Sequence, residues 1–180
     1  MNLRTMRPQQ YLCNGLVQIC NHVNSKIEVK KALEVGSYLG ESTVIFAQNF
    51  PKIEKLIAVD PYSLIHNSDL LFDEKLVIQI YEQFLLNIKP YKQIEHLKLS
   101  SEEASKTQPD NFFDFIYIDG CHQKQSVIND INYWLPKIRK NGFISFHDYD
   151  NAGVRSAINE YFDGSSGFLS EDNSITIEVV

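Results

Sequence analysis

The chain has few cysteines and no long apolar run. Its 180 residues include three cysteines, Cys13, Cys20 and Cys121, an odd number without a C-x-x-C pair, which indicates reduced thiols rather than a disulfide framework. No apolar stretch approaches the ~20 residues that a membrane-spanning helix needs. The N-terminus carries two arginines with no apolar segment behind them, which is unlike a secretory signal. We therefore expect a cytoplasmic protein that has no membrane partner.

Basic residues are neither abundant nor clustered. The net charge is −6, and the lysines and arginines are scattered rather than gathered into the stripe that a nucleic-acid groove needs. No internal repeat or low-complexity linker is visible either. With a prior of about 150 residues per domain, the chain is expected to form one domain over residues 1–180. These features favour a small-molecule ligand over a nucleic acid.

Short apolar runs alternate with longer segments of helical spacing. The runs, which predict strands, lie at 31–35, 56–60, 94–99, 113–119 and 142–148. Apolar side chains at helical intervals predict helices over 9–23, 42–50, 74–88 and 123–138. This alternation predicts an α/β fold with a Rossmann-like, mostly parallel sheet flanked by helices. The alternating tail from Ser174 to Val180 predicts one or two terminal strands, antiparallel to the rest.

Acidic residues stand at or just after the predicted strands. In open α/β sheets, ligands bind beyond the carboxyl ends of the strands, so these residues are the ones to examine for chemistry. The acids at the five strand ends are Glu34, Asp60, Glu102, Asp119 and Asp148. Their recurrence predicts an acidic rim along one edge of the sheet.

A glycine-bearing loop with the pattern E-x-G-x-x-x-G follows the first predicted strand. Gly36 and Gly40 allow a tight turn and close approach of a ligand, and Ser42 or Thr43 is suited to cap the next helix. Tyr38 stands where the dinucleotide fingerprint G-x-G-x-x-G has its second glycine, which disfavours a pyrophosphate and an NAD-dependent oxidoreductase. The loop suits a cofactor without phosphate, although a purely structural turn is the alternative.

Two further strand ends suit a nucleoside. Asp60 lies twenty-four residues after Gly36, and its carboxylate could accept both ribose hydroxyls, although an Asp-Pro turn is the simpler alternative. Ser101 and Glu102 follow the third predicted strand. They suit an adenine, and they suit a helix cap about equally well.

The last two strand ends combine aspartate with histidine. Asp119 and Asp148 should end adjacent strands, close enough to bind one hard divalent cation through oxygen. His147 is a candidate third ligand, and His122, with an ordinary pKa of about 6.5, is a candidate base. A structural role is an equal alternative for each histidine. Cys121 shares the loop, but no nucleophile triad surrounds it.

These segments together resemble a known family. EVGSYLGEST, AVDPY, IDGCH and VINDINYWLPKIRKNGFISFHDY are similar to class I S-adenosylmethionine-dependent methyltransferases. The likeness runs from about residue 30 to 160, and is to a small branch with D-G-x-H after the fourth strand and H-D-Y after the fifth. That branch is related to the macrocin-type and catechol-type O-methyltransferases. The resemblance implies O-methylation of a small hydroxylated acceptor, of sugar or natural-product type.

The resemblance also implies a role for each residue. S-adenosylmethionine would be bound by the loop and strand-end positions Glu34 (beneath the loop), Gly36, Ser37, Tyr38, Gly40, Asp60, Ser101 and Asp119. Magnesium, in metal-dependent relatives, maps to Asp119, His147 and Asp148. Apart from the resemblance, the mechanism that we expect assigns catalysis to His122, which would take the acceptor's proton, and to Asp119 and Asp148, which would hold the metal ion.

This sequence departs from the family pattern at three places. Cys121 replaces a second aspartate, Lys124 replaces a tyrosine, and Asn141 precedes Gly142 where two glycines are usual. A metal-dependent hydrolase using the same aspartates and histidines, and a non-catalytic module, are the alternatives. The acceptor site would be built from the N-terminal helix, the 61–75 loop, the tail, or a second copy in a homodimer.

Overall fold

The computed structural model describes residues 10–63, 65–66, 70–71, 73–162 and 166–180. Part of the 61–75 loop that was expected to help form the acceptor site lies outside these ranges, as do residues 1–9. Within the described ranges, no helix combines the length and the apolar character needed to cross a bilayer.

Strands and helices alternate along the chain as the hydrophobic pattern predicts. The helices are α1 (Gln10–Asn24), α2 (Glu41–Asn49), α3 (Glu74–Ile88), α4 (Ser101–Lys106), α5 (Lys124–Trp134) and α6 (Ala152–Phe162). The strands are β1 (Lys31–Val35), β2 (Lys55–Val59), β3 (Ile65–His66), β4 (Leu70–Leu71), β5 (Ile94–Leu97), β6 (Phe113–Ile118), β7 (Ile138–Phe146), β8 (Gly167–Leu169) and β9 (Ile175–Val179).

Seven strands form one sheet in the order β5-β2-β1-β6-β7-β9-β8. The first five of these are parallel, while β9 runs antiparallel to both β7 and β8. β3 and β4 form a separate antiparallel pair. The predicted Rossmann-like sheet with antiparallel terminal strands is confirmed. The strand order reverses between β1 and β6, and such a switch point is where open α/β sheets bind ligands.

The parallel strands end in register. Val35 of β1 lies opposite Val59 of β2 and Ile118 of β6, and Ile118 lies opposite Phe146 of β7. Backbone hydrogen bonds continue one residue further, from Asp119 N to the Val35 carbonyl at 2.8 Å. The residues that follow these strand ends therefore share one rim, as predicted: Gly36, Asp60, Asp119 and His147.

Apolar side chains cover both faces of the sheet. One cluster joins the sheet to α1, α2 and α3, and the other joins it to α4, α5 and α6. β6 is buried at all six positions because it lies inside the sheet with helices on both sides. Fully burying one such apolar side chain contributes about 1.5–3 kcal/mol, so this strand is a rigid base for the residues that follow it.

Some boundaries differ from the prediction. β7 begins at Ile138 rather than 142, because residues before Gly142 join the sheet through an irregularity in its pairing with β6. The helix expected over 123–138 ends at Trp134, since Pro136 cannot continue an α-helix, and a short 3-10 helix follows. Helices α4 and α6 were not predicted. α4 is only six residues long, whereas α6 has a helical spacing of buried side chains, Val154, Ala157 and Ile158, that could have revealed it.

Candidate active site

The loop between β1 and α2 needs its two glycines. Gly36 has φ +88°, and a Cβ atom there would lie 2.1 Å from the backbone oxygen of Asp119. Gly40 has φ +79°, and a Cβ atom there would lie 2.9 Å from the Phe84 ring. Tyr38 between them also has a positive φ, +42°. The loop therefore lies directly against the end of β6 and against α3, which fixes its position on the rim.

Glu34 lies beneath this loop, as the resemblance implies. It is fully buried, and its carboxylate accepts hydrogen bonds from the hydroxyls of Ser42 and Thr43 in the first turn of α2. Burial raises the pKa of Glu34 to about 7. The prediction that Ser42 or Thr43 caps α2 is wrong, because the cap is Gly40 and both hydroxyls bond to Glu34 instead. Glu34 thus ties α2 to β1.

The carboxylate of Asp60 connects two separate loops. Its Oδ2 atom accepts a hydrogen bond from the backbone N–H of Tyr38 at 3.0 Å, and its Oδ1 atom accepts one from Tyr62 at 2.8 Å. The Tyr62 hydroxyl in turn donates to the Tyr38 carbonyl at 3.1 Å. A carboxylate has about four acceptor positions, so an oxygen that already accepts one backbone N–H can also accept a hydroxyl donor from a ligand.

A cavity of about 360 Å³ opens along the rim, within the size range of small-molecule sites. Five of the eight predicted cofactor positions line it: Gly36, Tyr38, Asp60, Ser101 and Asp119. The other three do not. Glu34 is buried beneath the loop, the Ser37 side chain is buried within it, and Gly40 packs against Phe84. We call this space the rim cavity.

One wall of the rim cavity contains a buried acid that sequence reasoning missed. Asp130 on α5 accepts a hydrogen bond from the Ser101 hydroxyl, whose oxygen accepts the indole N–H of Trp134 at 2.8 Å. Burial raises the pKa of Asp130 to about 6. The sequence did contain a signal for this residue, because Asp130 lies beside Ile131 on the apolar face of the predicted helix, where a charged side chain is unexpected. Ser101 is not the cap of α4, because Ser100 forms a capping box with Glu103.

Two aspartates and two histidines meet beside the cavity. The Nε2 atom of His122 lies 2.9 Å from Asp148 Oδ2 and 4.0 Å from Asp119 Oδ1. The Nδ1 atom of His147 lies 3.1 Å and 3.3 Å from the same two oxygens. The predicted approach of Asp119 to Asp148 is confirmed. We call these four residues the acid–histidine cluster.

Charged neighbours within the cluster shift the pKa values of its members. Asp119 and Asp148 raise the pKa of His122 to about 10. Burial lowers the pKa of His147, but the two carboxylates outweigh it and raise that pKa to about 11. The close approach of His122 and His147 holds the pKa of Asp148 well below its usual range. Both imidazoles are therefore protonated at neutral pH in the arrangement described.

Three of these side chains could hold a divalent cation. Asp119, His122 and Asp148 each offer one ligand atom, and these atoms lie within 4.8 Å of one another. Carboxylate oxygen together with imidazole nitrogen is a donor set that suits divalent metals. The sequence named His147 as the third ligand and His122 as the base. The geometry also brings His122 into the ligand group, so the division of roles between the two histidines stays a prediction.

The cluster and the rim cavity meet at the loop after β6. Asp119, Gly120 and Cys121 line the rim cavity and also a small cavity that contains His122 and His147. Within the described part of the chain, all three cysteines are free thiols, as expected. A ligand in the rim cavity would therefore contact the cluster through Asp119.

Comparisons with known proteins agree with this arrangement. Residues 33–149 match a family described as a methyltransferase domain. The uncharacterized protein R132 of Acanthamoeba polyphaga mimivirus is 33% identical over 119 residues, which are 66% of this chain and 51% of that protein. The chain thus spans about half the length of this curated relative.

Two solved structures have the same fold. The cofactor-bound structure of Rv0187 from MTB has a TM-score of 0.65 at 14% identity, covering 97% of this chain and 82% of that one. The O-methyltransferase TomG from Streptomyces achromogenes, involved in tomaymycin synthesis and solved in complex with SAM, has a TM-score of 0.65 at 13% identity, with the same coverage. The family match covers well over half of this chain and includes both the glycine loop and the acid–histidine cluster; this chain belongs to the methyltransferase-domain family.

Proposed function

We propose that this protein transfers a methyl group from S-adenosylmethionine to a hydroxyl of a small molecule. One observation carries the proposal. The Asp60 carboxylate and the glycine loop bound a cavity that meets the acid–histidine cluster at Asp119. Family membership supports methyl transfer, and the SAM complex of TomG supports the choice of cofactor.

The residues present fit the cofactor. Asp60 can accept the two ribose hydroxyls, since it lines the cavity and each oxygen of a carboxylate can accept more than one hydrogen bond. The loop from Gly36 to Gly40 would lie against the methionine half. S-adenosylmethionine, when bound, supplies a methyl group activated by a positively charged sulfur. The carboxylate of Asp119, which lines the cavity, complements that charge.

The acid–histidine cluster is proposed to position and deprotonate the acceptor. His122, whose Nε2 atom lies 2.9 Å from Asp148, would accept the proton that leaves the acceptor hydroxyl once it has lost the proton that the two carboxylates hold on it. A divalent cation such as magnesium, when held by Asp119 and Asp148, would lower the pKa of the acceptor hydroxyl. In either case the chain contributes position and charge, because holding two reactants in line is worth several kcal/mol.

The acceptor is proposed to be a small hydroxylated compound of sugar or natural-product type. The cluster offers only charged and hydrogen-bonding atoms, which suit a hydroxyl-bearing ligand better than an apolar one. A metal-dependent hydrolase would use the same cluster, but it would leave the glycine loop and the Asp60 network without a ligand. A non-catalytic module would bind the cofactor and transfer nothing.

A transfer assay separates these possibilities. The protein is incubated with S-adenosylmethionine labelled at the methyl group and a panel of sugars and hydroxylated aromatic compounds, with and without a chelator. We expect label to enter at least one hydroxyl compound, and transfer to stop in Asp148→Ala. Cofactor binding without transfer to any compound would indicate the non-catalytic module. Hydrolytic activity without cofactor binding would indicate the hydrolase.

A further inference from the structure

We propose that Asp172 is a positioning residue, which fixes the backbone next to Asp148 and so directs the Asp148 carboxylate at His122. This inference rests on the proposed function, because it concerns the contact that orients the proposed base. Asp172 is 2% exposed, does not line the rim cavity, and takes no part in the steps described above. A buried carboxylate is costly unless it is hydrogen-bonded, so the bonds that Asp172 accepts indicate what it does.

The turn from Ser170 to Ser174, which we call the tail turn, joins β8 to β9 at the rim. β9 runs antiparallel to β7, and its first residue, Ile175, lies opposite Phe146 at the end of β7. The residues just before Ile175 therefore lie beside those just after Phe146, which are His147 and Asp148. The tail turn is thus a neighbour of the acid–histidine cluster.

The Asp172 carboxylate closes the tail turn from the inside. Its Oδ1 atom accepts a hydrogen bond from the Ser170 hydroxyl at 2.6 Å and one from the backbone N–H of Ser174 at 3.2 Å. The backbone N–H of Asn173 also donates to the Ser170 carbonyl at 3.1 Å. Together these bonds hold Asn173 in a left-handed conformation, with φ +60°, and so fix the direction of its carbonyl group.

The Asn173 carbonyl holds the residue that follows Asp148. It accepts a hydrogen bond from the backbone N–H of Tyr149 at 2.8 Å. Asp148 itself has φ +53°, and such a conformation at a residue other than glycine persists only where the surrounding structure imposes it. The bond from Tyr149 to the tail turn and a second one, from Asn151 N to the Asp148 carbonyl at 2.8 Å, impose it here. The Asp148 side chain is thereby held 2.9 Å from His122.

Helix α1 packs against the other side of the tail turn. A Cβ atom on Gly15 would lie 2.3 Å from Cγ of Asp172, so the helix backbone and the carboxylate are in direct contact. Gln18, about one turn further along α1, accepts a hydrogen bond from the backbone N–H of Glu171 at 3.0 Å. Since Asp172 fits only because residue 15 has no side chain, the tail turn connects α1 to the backbone beside Asp148.

Two replacements should misplace Asp148 without changing the rim cavity. Asp172→Ala removes the acceptor that closes the tail turn, and Gly15→Ala puts a Cβ atom where the Asp172 carboxylate lies. With the hydroxyl compound that takes up most label in the transfer assay, each should lower kcat about tenfold or more, because a small displacement of a reacting group is that costly. The Kd for S-adenosylhomocysteine should stay near that of the wild type.

The conservative variant Asp172→Asn separates position from charge. Its amide oxygen can take the place of Oδ1 and accept the same two hydrogen bonds, from the Ser170 hydroxyl and the Ser174 N–H. The tail turn then closes as in the wild type, so kcat should be restored. A loss in Asp172→Asn as large as that in Asp172→Ala would contradict the positioning role.

Thr176→Val is the matched control for a loss of stability alone. The Thr176 hydroxyl is hydrogen-bonded to that of Ser145 at 2.9 Å, so this variant removes a buried bond between β7 and β9 without reaching the tail turn. It should lower the melting temperature, as Asp172→Ala does, but leave kcat unchanged. An equal loss of kcat in Thr176→Val would overturn the proposal, because general weakening of the sheet would then explain both variants.

A measurement that needs no acceptor separates this inference from the proposed function. The imidazole nitrogen NMR shifts of His122, assigned with His122→Gln, report its contact with Asp148. We expect Asp172→Ala to move these shifts towards those of Asp148→Asn, and Asp172→Asn to leave them in place. Thermal melting reports folding, and Gly15→Ala takes the place of Asp172→Ala if the latter does not fold.

The outcomes are distinct. Unchanged His122 shifts in a folded Asp172→Ala variant would overturn the proposal. If the shifts move as expected but the wild type transfers no methyl group, the proposed function fails while the positioning of Asp148 by Asp172 is supported.

Discussion

His122 Nε2 and Asp148 Oδ2 lie 2.9 Å apart, although the two residues come from different strand ends. Because β6 and β7 are paired in parallel and end in register, their following loops meet. Asp148 adopts a positive φ of +53°, which turns the chain sharply directly after β7. This pair lies directly after the carboxyl ends of β6 and β7, where the proposed proton transfer would take place.

Replacing Asp148 should separate chemistry from cofactor binding. Asp148→Asn keeps the shape but removes the charge that orients His122, so we expect kcat to fall by about 100-fold or more, as for loss of an acid–base partner. The affinity for S-adenosylhomocysteine should change little, because Asp148 does not line the rim cavity. Steady-state kinetics and calorimetry measure the two effects, and Asp150→Asn, two residues away and exposed, is the control. Full activity in Asp148→Asn would remove this pair from the mechanism.

Replacement by alanine should destabilise the protein at one glycine of the rim and have little effect at another. Gly36→Ala places a Cβ atom 2.1 Å from a backbone oxygen at a positive φ, so we expect a loss of about 3 kcal/mol or more in unfolding free energy. Gly120→Ala, where the nearest neighbour would lie at 3.5 Å, should be close to neutral. Urea unfolding of both variants checks this pair. Equal destabilisation would show that the close approach of β1 and β6 is not what requires Gly36.

The buried Glu34 should make stability depend on pH. Its pKa is raised from 4.5 to about 7 in the folded state, so the folded protein binds this proton more tightly than the unfolded chain. The contribution is fully present below the unfolded pKa and is lost as the pH rises through the folded pKa. The resulting fall in stability between about pH 4.5 and 7 is on the order of 3 kcal/mol.

The variant Glu34→Gln isolates that effect, since its side chain does not titrate. Its unfolding free energy, measured by urea at pH 5 and pH 7.5, should change less with pH than that of the wild type. Subtracting the pH dependence of the variant's unfolding free energy from that of the wild type cancels the contributions of the other titrating groups. Parallel slopes would mean that Glu34 keeps its ordinary pKa in the folded protein.

The Tyr62 hydroxyl should support cofactor binding by holding the Tyr38 backbone of the glycine loop in place. Tyr62→Phe removes its bond to the Tyr38 carbonyl, while the backbone bonds of Tyr38 and Tyr62 to Asp60 remain. We expect the Kd for S-adenosylhomocysteine to rise about fivefold, the size of one neutral hydrogen bond. Tyr81→Phe, whose hydroxyl pairs with His96, is the control and should bind as the wild type does. If both variants bind equally well, cofactor binding does not depend on the hydrogen bond from the Tyr62 hydroxyl to the Tyr38 carbonyl.

Much of the fold could be predicted because its determinants are local and periodic. The run from Phe113 to Ile118 is apolar throughout, as a strand buried on both faces must be, and the predicted helix 74–88 has the bounds that the structure gives α3. The shared rim followed from parallel strands alone. Helix α4 could not be seen, since six residues hold too few turns to show a period.

The site was less predictable because its contacts depend on three-dimensional neighbours. The sequence placed Asp119, His122, His147 and Asp148 together, but not which histidine nitrogen meets which oxygen. It also failed to identify Asp130, because the hydrogen bonds that join Asp130 to Ser101 and Ser101 to Trp134 depend on the packing of α4 against α5. Likewise, the sequence predicted that Ser42 or Thr43 would cap α2, because it could not show that both hydroxyls donate to the buried carboxylate of Glu34.

Calorimetric titration with S-adenosylhomocysteine tests most directly whether this rim binds a nucleoside cofactor. We expect saturable one-to-one binding to the wild type, and at least tenfold weaker binding to Asp60→Ala, which loses the ribose acceptor and releases both loops. An exposed acid far from the rim, Glu54→Gln, should bind as the wild type does. Absence of binding to the folded wild-type protein at millimolar ligand would contradict the account.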